Sequence, residues 1–191
     1  MVYGNFTSGI VDENTQCEPI GIYGNLKYAG ELIVKSYNQV FDLPFTIIRP
    51  SALYGERCVS RRVGQIFIEN LLTKKEIYIN GDGEEKLDFT YIEDFVSGIE
   101  KCCNNPKAIN QTFNITYGNS RSINELIQIL KTNFTNVVIK KNPKEAFMPE
   151  RGTLDISKAK DLINFEPKNS IEIGYVKYIN WYKNFYKKIA I

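Results

Sequence analysis

The chain has 191 residues, 43% of them hydrophobic and 24% charged, a mixture that excludes disorder and suits one ordinary globular unit or slightly more. Its 24 basic and 22 acidic residues leave a net charge of +2, short of the excess a dedicated nucleic-acid or membrane-surface binder carries. No histidine is present, which removes Ser-His-Asp and Cys-His nucleophile systems and every His-containing zinc site.

Residues 1–22 are rich in Gly, Asn, Thr and Pro and alternate poorly, so a strand end and a loop are expected there rather than a core element. Over 23–43, Leu26, Ala29, Leu32, Ile33, Val40 and Phe41 fall near helical spacing before Pro44, predicting a long, largely buried helix. Phe45-Thr46-Ile47-Ile48, closed by Arg49-Pro50, predicts a buried parallel strand feeding a functional loop. A helix over 61–75, an extended run over 76–80 and a turn at Gly81-Asp82-Gly83 follow. Residues 87–92 read as a strand, and Asp94 stands where an N-cap would open a helix over 95–103. After a short strand at 111–115, Ser122-Ile123-Asn124-Glu125 has the capping-box spacing, with Ile123, Leu126, Ile127 and Leu130 on one face. Residues 137–140 are strand-like, 157–164 form a small helix, and 171 to the end reads as an aromatic, Lys-rich amphipathic helix. The alternation predicts an α/β sheet.

Cys17, Cys58, Cys102 and Cys103 contain no C-x-x-C pair and are expected to be reduced packing thiols. No run approaches the ~18 apolar residues of a membrane span, and the start has neither a basic n-region nor an apolar h-region, so a cytoplasmic protein is expected. Asp82, Glu84, Glu85 and Asp88 lack the positions of an EF-hand, so a solvated turn and no metal site are expected. In the last helix, Lys177, Lys183, Lys187 and Lys188 interleave with Tyr178, Trp181, Tyr182, Phe185 and Tyr186. A nucleic-acid or membrane-surface helix has that composition, but so does a final helix packing its aromatic stripe inward with its lysines in water; the second is expected, with no nucleic-acid or membrane partner.

Tyr23-Gly24-Asn25-Leu26-Lys27 sets a phenol and an ammonium four residues apart, on one face of the helix. A phenol ordinarily ionises near pH 10, about 4 kcal/mol from neutrality, and a nearby cation favours the phenolate a general base needs. Alone, the spacing equally fits a solvent-facing pair. Around it stand Val2-Tyr3-Gly4, Ala29-Gly30-Glu31, Ile48-Arg49-Pro50, Tyr54-Gly55, Gly81-Asp82-Gly83, the run from Asp88 to Asp94, Phe113-Asn114-Ile115 and Asp155-Ile156-Ser157-Lys158-Ala159. In that order and spacing the sequence resembles the extended short-chain dehydrogenase/reductases acting on nucleotide sugars, the NAD-dependent epimerase/dehydratase family.

The resemblance implies an α/β fold: the C-terminal part of a doubly wound Rossmann-like parallel sheet plus a smaller α/β lobe for a nucleotide-diphosphate sugar. It implies residues 1–55 in the NAD-binding domain and 56–191 in the sugar-nucleotide lobe, with 87–105 returning to the Rossmann sheet. Tyr23 would be the acid/base and Lys27 its partner, both touching NAD, with Pro50 and Leu53 in the loop beside the nicotinamide. Arg62, Lys86 and Arg151 would serve the substrate; Lys86 neighbours Leu87, where the family has a nucleotide-binding arginine, and Arg151 reads equally as a surface residue. Ala52 stands where the family carries an asparagine, and Met1 where its dehydratases carry an acidic residue. That favours an epimerase, with a dehydratase, a reductase, a non-catalytic sugar-nucleotide module or an orphan fragment as alternatives. No three-glycine fingerprint exists. The expectation is therefore a truncated or split chain, inactive alone, whose partner is a complementing amino-terminal half or a second copy.

Overall fold

A computed structural model describes residues 2–6, 9–144 and 149–189; Met1 lies outside the described residues, as do the side chains of Lys187 and Lys188. In chain order the elements are β1 (Ile10–Val11), α1 (Gly21–Phe41), β2 (Thr46–Arg49), β3 (Leu53–Tyr54), α2 (Val63–Leu72), β4 (Ile77–Asn80), β5 (Lys86–Leu87), β6 (Thr90–Tyr91) and α3 (Ile92–Cys103). After a 3-10 turn at Pro106–Ala108 come β7 (Gln111–Asn114), β8 (Arg121–Ser122), α4 (Ile123–Asn133), β9 (Ile139–Asn142), β10 (Thr153–Leu154), α5 (Ser157–Ile163) and α6 (Ile171–Ile189). Strands pair in parallel as β1 with β10, β2 with β7, β3 with β6 and β4 with β9; β5 and β8 pair antiparallel. Parallel pairs joined through helices make this an α/β fold.

The main core lies where α6 packs against α2 and α4, over Phe67, Ile77, Leu126, Leu130, Tyr178 and Ile179. Ser122 opens α4 with the expected capping box, its hydroxyl accepting from Glu125 N while the Glu125 carboxylate accepts from Ser122 N. The aromatic stripe of α6 turns inward, with Tyr175 and Tyr178 buried, while Lys183 reaches the carbonyl of Asn133. A second core joins β7 to α5 through Phe113, Ile115, Ala159 and Ile163. The predicted helix over 61–75 contracts to α2 because Arg61 and Lys74 take left-handed conformations, at φ 41° and 56°, that a helix does not admit.

Several expectations are corrected. Residues 1–22 do contain core: Val2, Tyr3 and Val11 pack with Leu154 in a third cluster, and β1 pairs with β10. The strand expected at 87–92 breaks between β5 and β6 because Asp88 turns fully inward, accepting from Thr116 Oγ1 at 3.0 Å, Gly118 N at 3.1 Å and Leu154 N at 3.1 Å. Asp94 is not an N-cap: α3 begins at Ile92, and the buried Asp94 carboxylate accepts from Lys168 N, Asn169 N and Asn169 Nδ2 instead. Cys102 is a buried thiol, but Cys103 is exposed rather than packed.

The largest correction concerns α1. It forms as expected and ends at Asp42 in the left-handed region (φ 53°), yet only Gly24 and Glu31 of its 21 residues are buried. The face toward the rest of the chain carries Gly24, Tyr28, Glu31, Lys35 and Asn38, whereas Ile22, Leu26, Ile33, Tyr37 and Val40 stand exposed on the opposite side. The helical period was read correctly; it reports where apolar residues lie, not what covers them.

Candidate active site

Helix α1 runs back along β2, so its amino terminus lies at the carboxyl end of the strand. The helix and strand are locked where Glu31 meets Arg49, the last residue of β2: Nε donates to Oε1 at 2.9 Å and Nη2 to Oε2 at 2.6 Å, with both residues buried. Tyr23 stands eight residues before Glu31 (31 − 23 = 8), about 12 Å up the helix axis at 1.5 Å per residue. That carries it past the end of the β2–β7 pair, where an open α/β sheet places its ligand crevice. Tyr23 is 55% exposed and Lys27 is exposed, and the ammonium lies 5.5 Å from the centre of the phenol ring.

Pro50 follows β2 directly and is exposed, and Leu53 opens β3 half-buried, so both lie on the loop leaving the sheet at that end. The loop into α1 is set by Gly4, at φ 73°, where a Cβ would run into the carbonyl of Glu18. An exposed phenol beside an ammonium suits hydroxyl groups of a ribose. The residues present therefore fit the nicotinamide-ribose end of an NAD. For its pyrophosphate the sequence holds no three-glycine turn.

A second group of predicted residues is linked by charge. Arg151 is half-buried; burial pushes its pKa down, the charge of Glu85 opposes this, and the like charge of Arg62 adds to it. Two guanidiniums within electrostatic reach of each other, one of them partly desolvated, repel one another, and a bound anion would relieve that repulsion. Lys86 is exposed on β5, and the charges acting on Arg151 are those of Glu85 and Arg62. Arg62 thus lies within electrostatic reach of Arg151, and Lys86 stands exposed on β5.

Behind the site lies a polar framework assigned no role from the sequence. Tyr3 OH donates to Asn114 Oδ1 at 2.7 Å, Asn114 N donates to Glu13 at 2.6 Å, and the Tyr3 ring lies 4.7 Å from the Arg49 guanidinium carbon. Burial pushes the Tyr3 phenol up to about 12, against the pull of Arg49. Burial disfavours the Arg49 charge, yet the hydrogen bonds that Arg49 donates to Glu31 and the neighbouring Tyr3 hold its pKa above the ordinary arginine value. The available signal was a charge ending a buried strand, which requires a partner. Two surface hollows, one beside Asn70 and Tyr78 and one beside Phe45 and Cys103, contain none of the predicted residues. Among the described residues no cluster suited to a metal occurs, and no helix is long and apolar enough to cross a membrane.

The parallel strand pairs and the helices joining them define an α/β protein. The family model for the NAD dependent epimerase/dehydratase family matches residues 1–116, and the chain belongs to that family. It is 32% identical over 187 residues to the uncharacterized UDP-glucose epimerase YtcB of Bacillus subtilis, covering 97% of this chain and 59% of the relative. It is 32% identical over 171 residues to a UDP-glucuronate 4-epimerase of Thermodesulfobacterium geofontis, covering 86% of this chain and 51% of that one. The crystal structure of UDP-glucuronic acid 4-epimerase from Bacillus cereus, in complex with UDP-glucuronic acid and NAD, superposes with a TM-score of 0.90 at 30% identity, over 96% of this chain and 59% of that one. The fold is accordingly Rossmann-like α/β, with parallel strand pairs and helices matching that epimerase structure. The chain spans little more than half the length of these relatives.

Proposed function

We propose that this chain carries the acid/base and substrate-binding part of an NAD-dependent nucleotide-sugar epimerase that oxidises and re-reduces one sugar carbon. Residues 1–55 and 87–105 belong to the NAD-binding domain in this reading, and the remainder of 56–191 to the sugar-nucleotide lobe. The observation that carries it is the Tyr23–Lys27 pair, exposed at the carboxyl end of the parallel strands. NAD, when bound, accepts and returns the hydride. Tyr23 Oη takes the proton of the sugar hydroxyl and later gives it back. Lys27 favours the phenolate and donates to ribose hydroxyls, and Arg62 and Arg151 hold the substrate diphosphate. The seat for the NAD pyrophosphate must come from chain other than this one, so the 191 residues alone are inactive in this reading. The outward apolar stripe of α1 supports a polypeptide partner on that side, either a complementing amino-terminal half or a second copy.

A sugar-nucleotide-binding module without redox chemistry is the second reading, favoured by one observation: Arg62 lies within electrostatic reach of the half-buried Arg151 while the sequence holds no three-glycine turn. Calorimetry with uridine diphosphate tests what the readings share. Binding should weaken at least ~10-fold in Arg62→Ala/Arg151→Ala and persist in Tyr23→Phe. Equal binding by wild type and the double variant would remove the substrate seat. To separate the readings, the chain is supplied with NAD, UDP-glucose and the amino-terminal segment of the B. subtilis relative, and epimers are followed by NMR. Interconversion lost by roughly 10²–10⁴-fold in Tyr23→Phe supports the epimerase; none in wild type supports the binding module.

A further inference from the structure

Glu31 is the only residue of α1 with a side chain that is buried, since the other buried position is Gly24. What Glu31 grips is therefore the one fully buried hold on a 21-residue helix, beside the partly buried Tyr28 packed on the Tyr3 cluster and Asn38, which donates to Asn110 Oδ1 at 3.3 Å. It grips Arg49 through both oxygens of its carboxylate, and Arg49 is itself fixed: its Nη2 also donates to Cys17 Sγ at 3.3 Å, and its guanidinium lies against the Tyr3 ring. Tyr3 in turn bonds Asn114 on β7. A fork-to-fork ion pair specifies direction as well as distance, which an apolar contact does not.

We infer that the Glu31–Arg49 pair positions the Tyr23 end of α1 over the crevice, a role that rests on reading Tyr23 and Lys27 as the reacting pair. The lever is long. A tilt of about 5° at Glu31 displaces a point about 12 Å along the axis by about 1 Å, and a displacement of that size at reacting groups can lower a rate by ~10²-fold. Neither residue touches substrate or cofactor in this account; both act through the helix. Buried ion pairs replaced by apolar side chains of similar size often leave stability unchanged or higher. Orientation and stability are therefore separable.

The test is the full chain with Glu31→Met/Arg49→Met together, and Arg49→Lys alone. For the double variant the melting temperature should stay within about 3 °C of wild type. Amide exchange in α1 should quicken at least ~10-fold while exchange in α4 and α6 is unchanged. In the complemented epimerising preparation kcat should fall on the order of 10²-fold with KM for UDP-glucose unchanged. Unchanged α1 exchange, or a rise shared by every helix, overturns the proposal. Should the double variant not fold, Arg49→Lys decides: a faster exchange confined to α1 supports the role, and no change or a uniform change refutes it. Wild type that never epimerises defeats the catalytic reading, while α1 exchange still decides whether the pair orients the helix.

Discussion

Helices α1 and α6 run 21 and 19 residues, yet the chain holds them by different means. Helix α6 buries Tyr175, Tyr178, Ile179 and Tyr182 against α2 and α4, so its place is set by apolar area removed from water. Helix α1 turns its apolar stripe away from the rest of the chain and is held mainly by polar contacts, the buried Glu31 to Arg49 and Asn38 to Asn110, with Tyr28 the one aromatic packed inward. Non-directional burial stabilises the side built on α2, α4 and α6, and directional polar contacts orient the side that carries Tyr23 and Lys27. A region can therefore be rigid in position while adding little to the stability of the whole.

The sharpest way to break this contrast is one truncation on each helix. Ile179→Ala should lower unfolding free energy by roughly 2–5 kcal/mol, the transfer and cavity penalty of a fully buried aliphatic. Ile33→Ala, at a position 58% exposed, should change it by less than about 0.5 kcal/mol. Urea midpoints measure both, and equal losses would mean that α1 is packed after all.

Asp88 extends the comparison to pH. Burial pushes its carboxyl up to about 6 from an ordinary 3.8, although its hydrogen bonds to Leu154, Thr116 and Gly118 favour the ionised form. Its acid form is thus favoured in the folded chain. The stabilisation this gives is complete below about 3.8, fades as pH rises through about 6 and is absent at neutrality, where the group is ionised. The step corresponds to roughly 3 kcal/mol. Urea midpoints taken from pH 4 to 7 should show the wild type losing about that much relative to Asp88→Asn. A constant difference would show that burial does not govern this carboxylate.

Asp94→Ala removes the acceptor of Lys168 N, Asn169 N and Asn169 Nδ2 just before α6 and leaves buried donors unpaired, for an expected loss of about 2 kcal/mol. Thermal unfolding reads it. A loss below about 0.5 kcal/mol would mean that water replaces the carboxylate.

Which of these features the sequence disclosed follows from how local each one is. The capping box at Ser122 and Glu125 obeys a three-residue rule, and the Tyr23–Lys27 approach a four-residue one; both were legible. Periodicity gave the length of α1 but reversed its burial, because nothing in an apolar stripe names its cover. The Glu31–Arg49 pair spans 18 residues and the Tyr3–Asn114 bond 111. No spacing rule reaches that far, and both entered the reading only as letters of motifs. Asp88 and Asp94 were read as a turn residue and a cap because a carboxylate serves backbone donors equally well from within its segment or from across the fold.

The smallest expected effect has the opposite sign and bears on the proposed substrate seat. Arg62 lowers the pKa of the half-buried Arg151 by like-charge repulsion, behind the larger influence of burial and against the opposing charge of Glu85. Removing Arg62 relieves that repulsion, so Arg62→Ala should raise the melting temperature by about 1 °C. The same change removes one of the two cations proposed to hold a diphosphate, and uridine diphosphate should then bind more weakly. Stability and affinity moving in opposite directions is what distinguishes a seat assembled for an anion from two arginines that merely share a surface. A variant neutral in melting and in binding would mean that the exposed Arg62 is fully screened by water, leaving Arg151 with Glu85 as its charged neighbour of consequence.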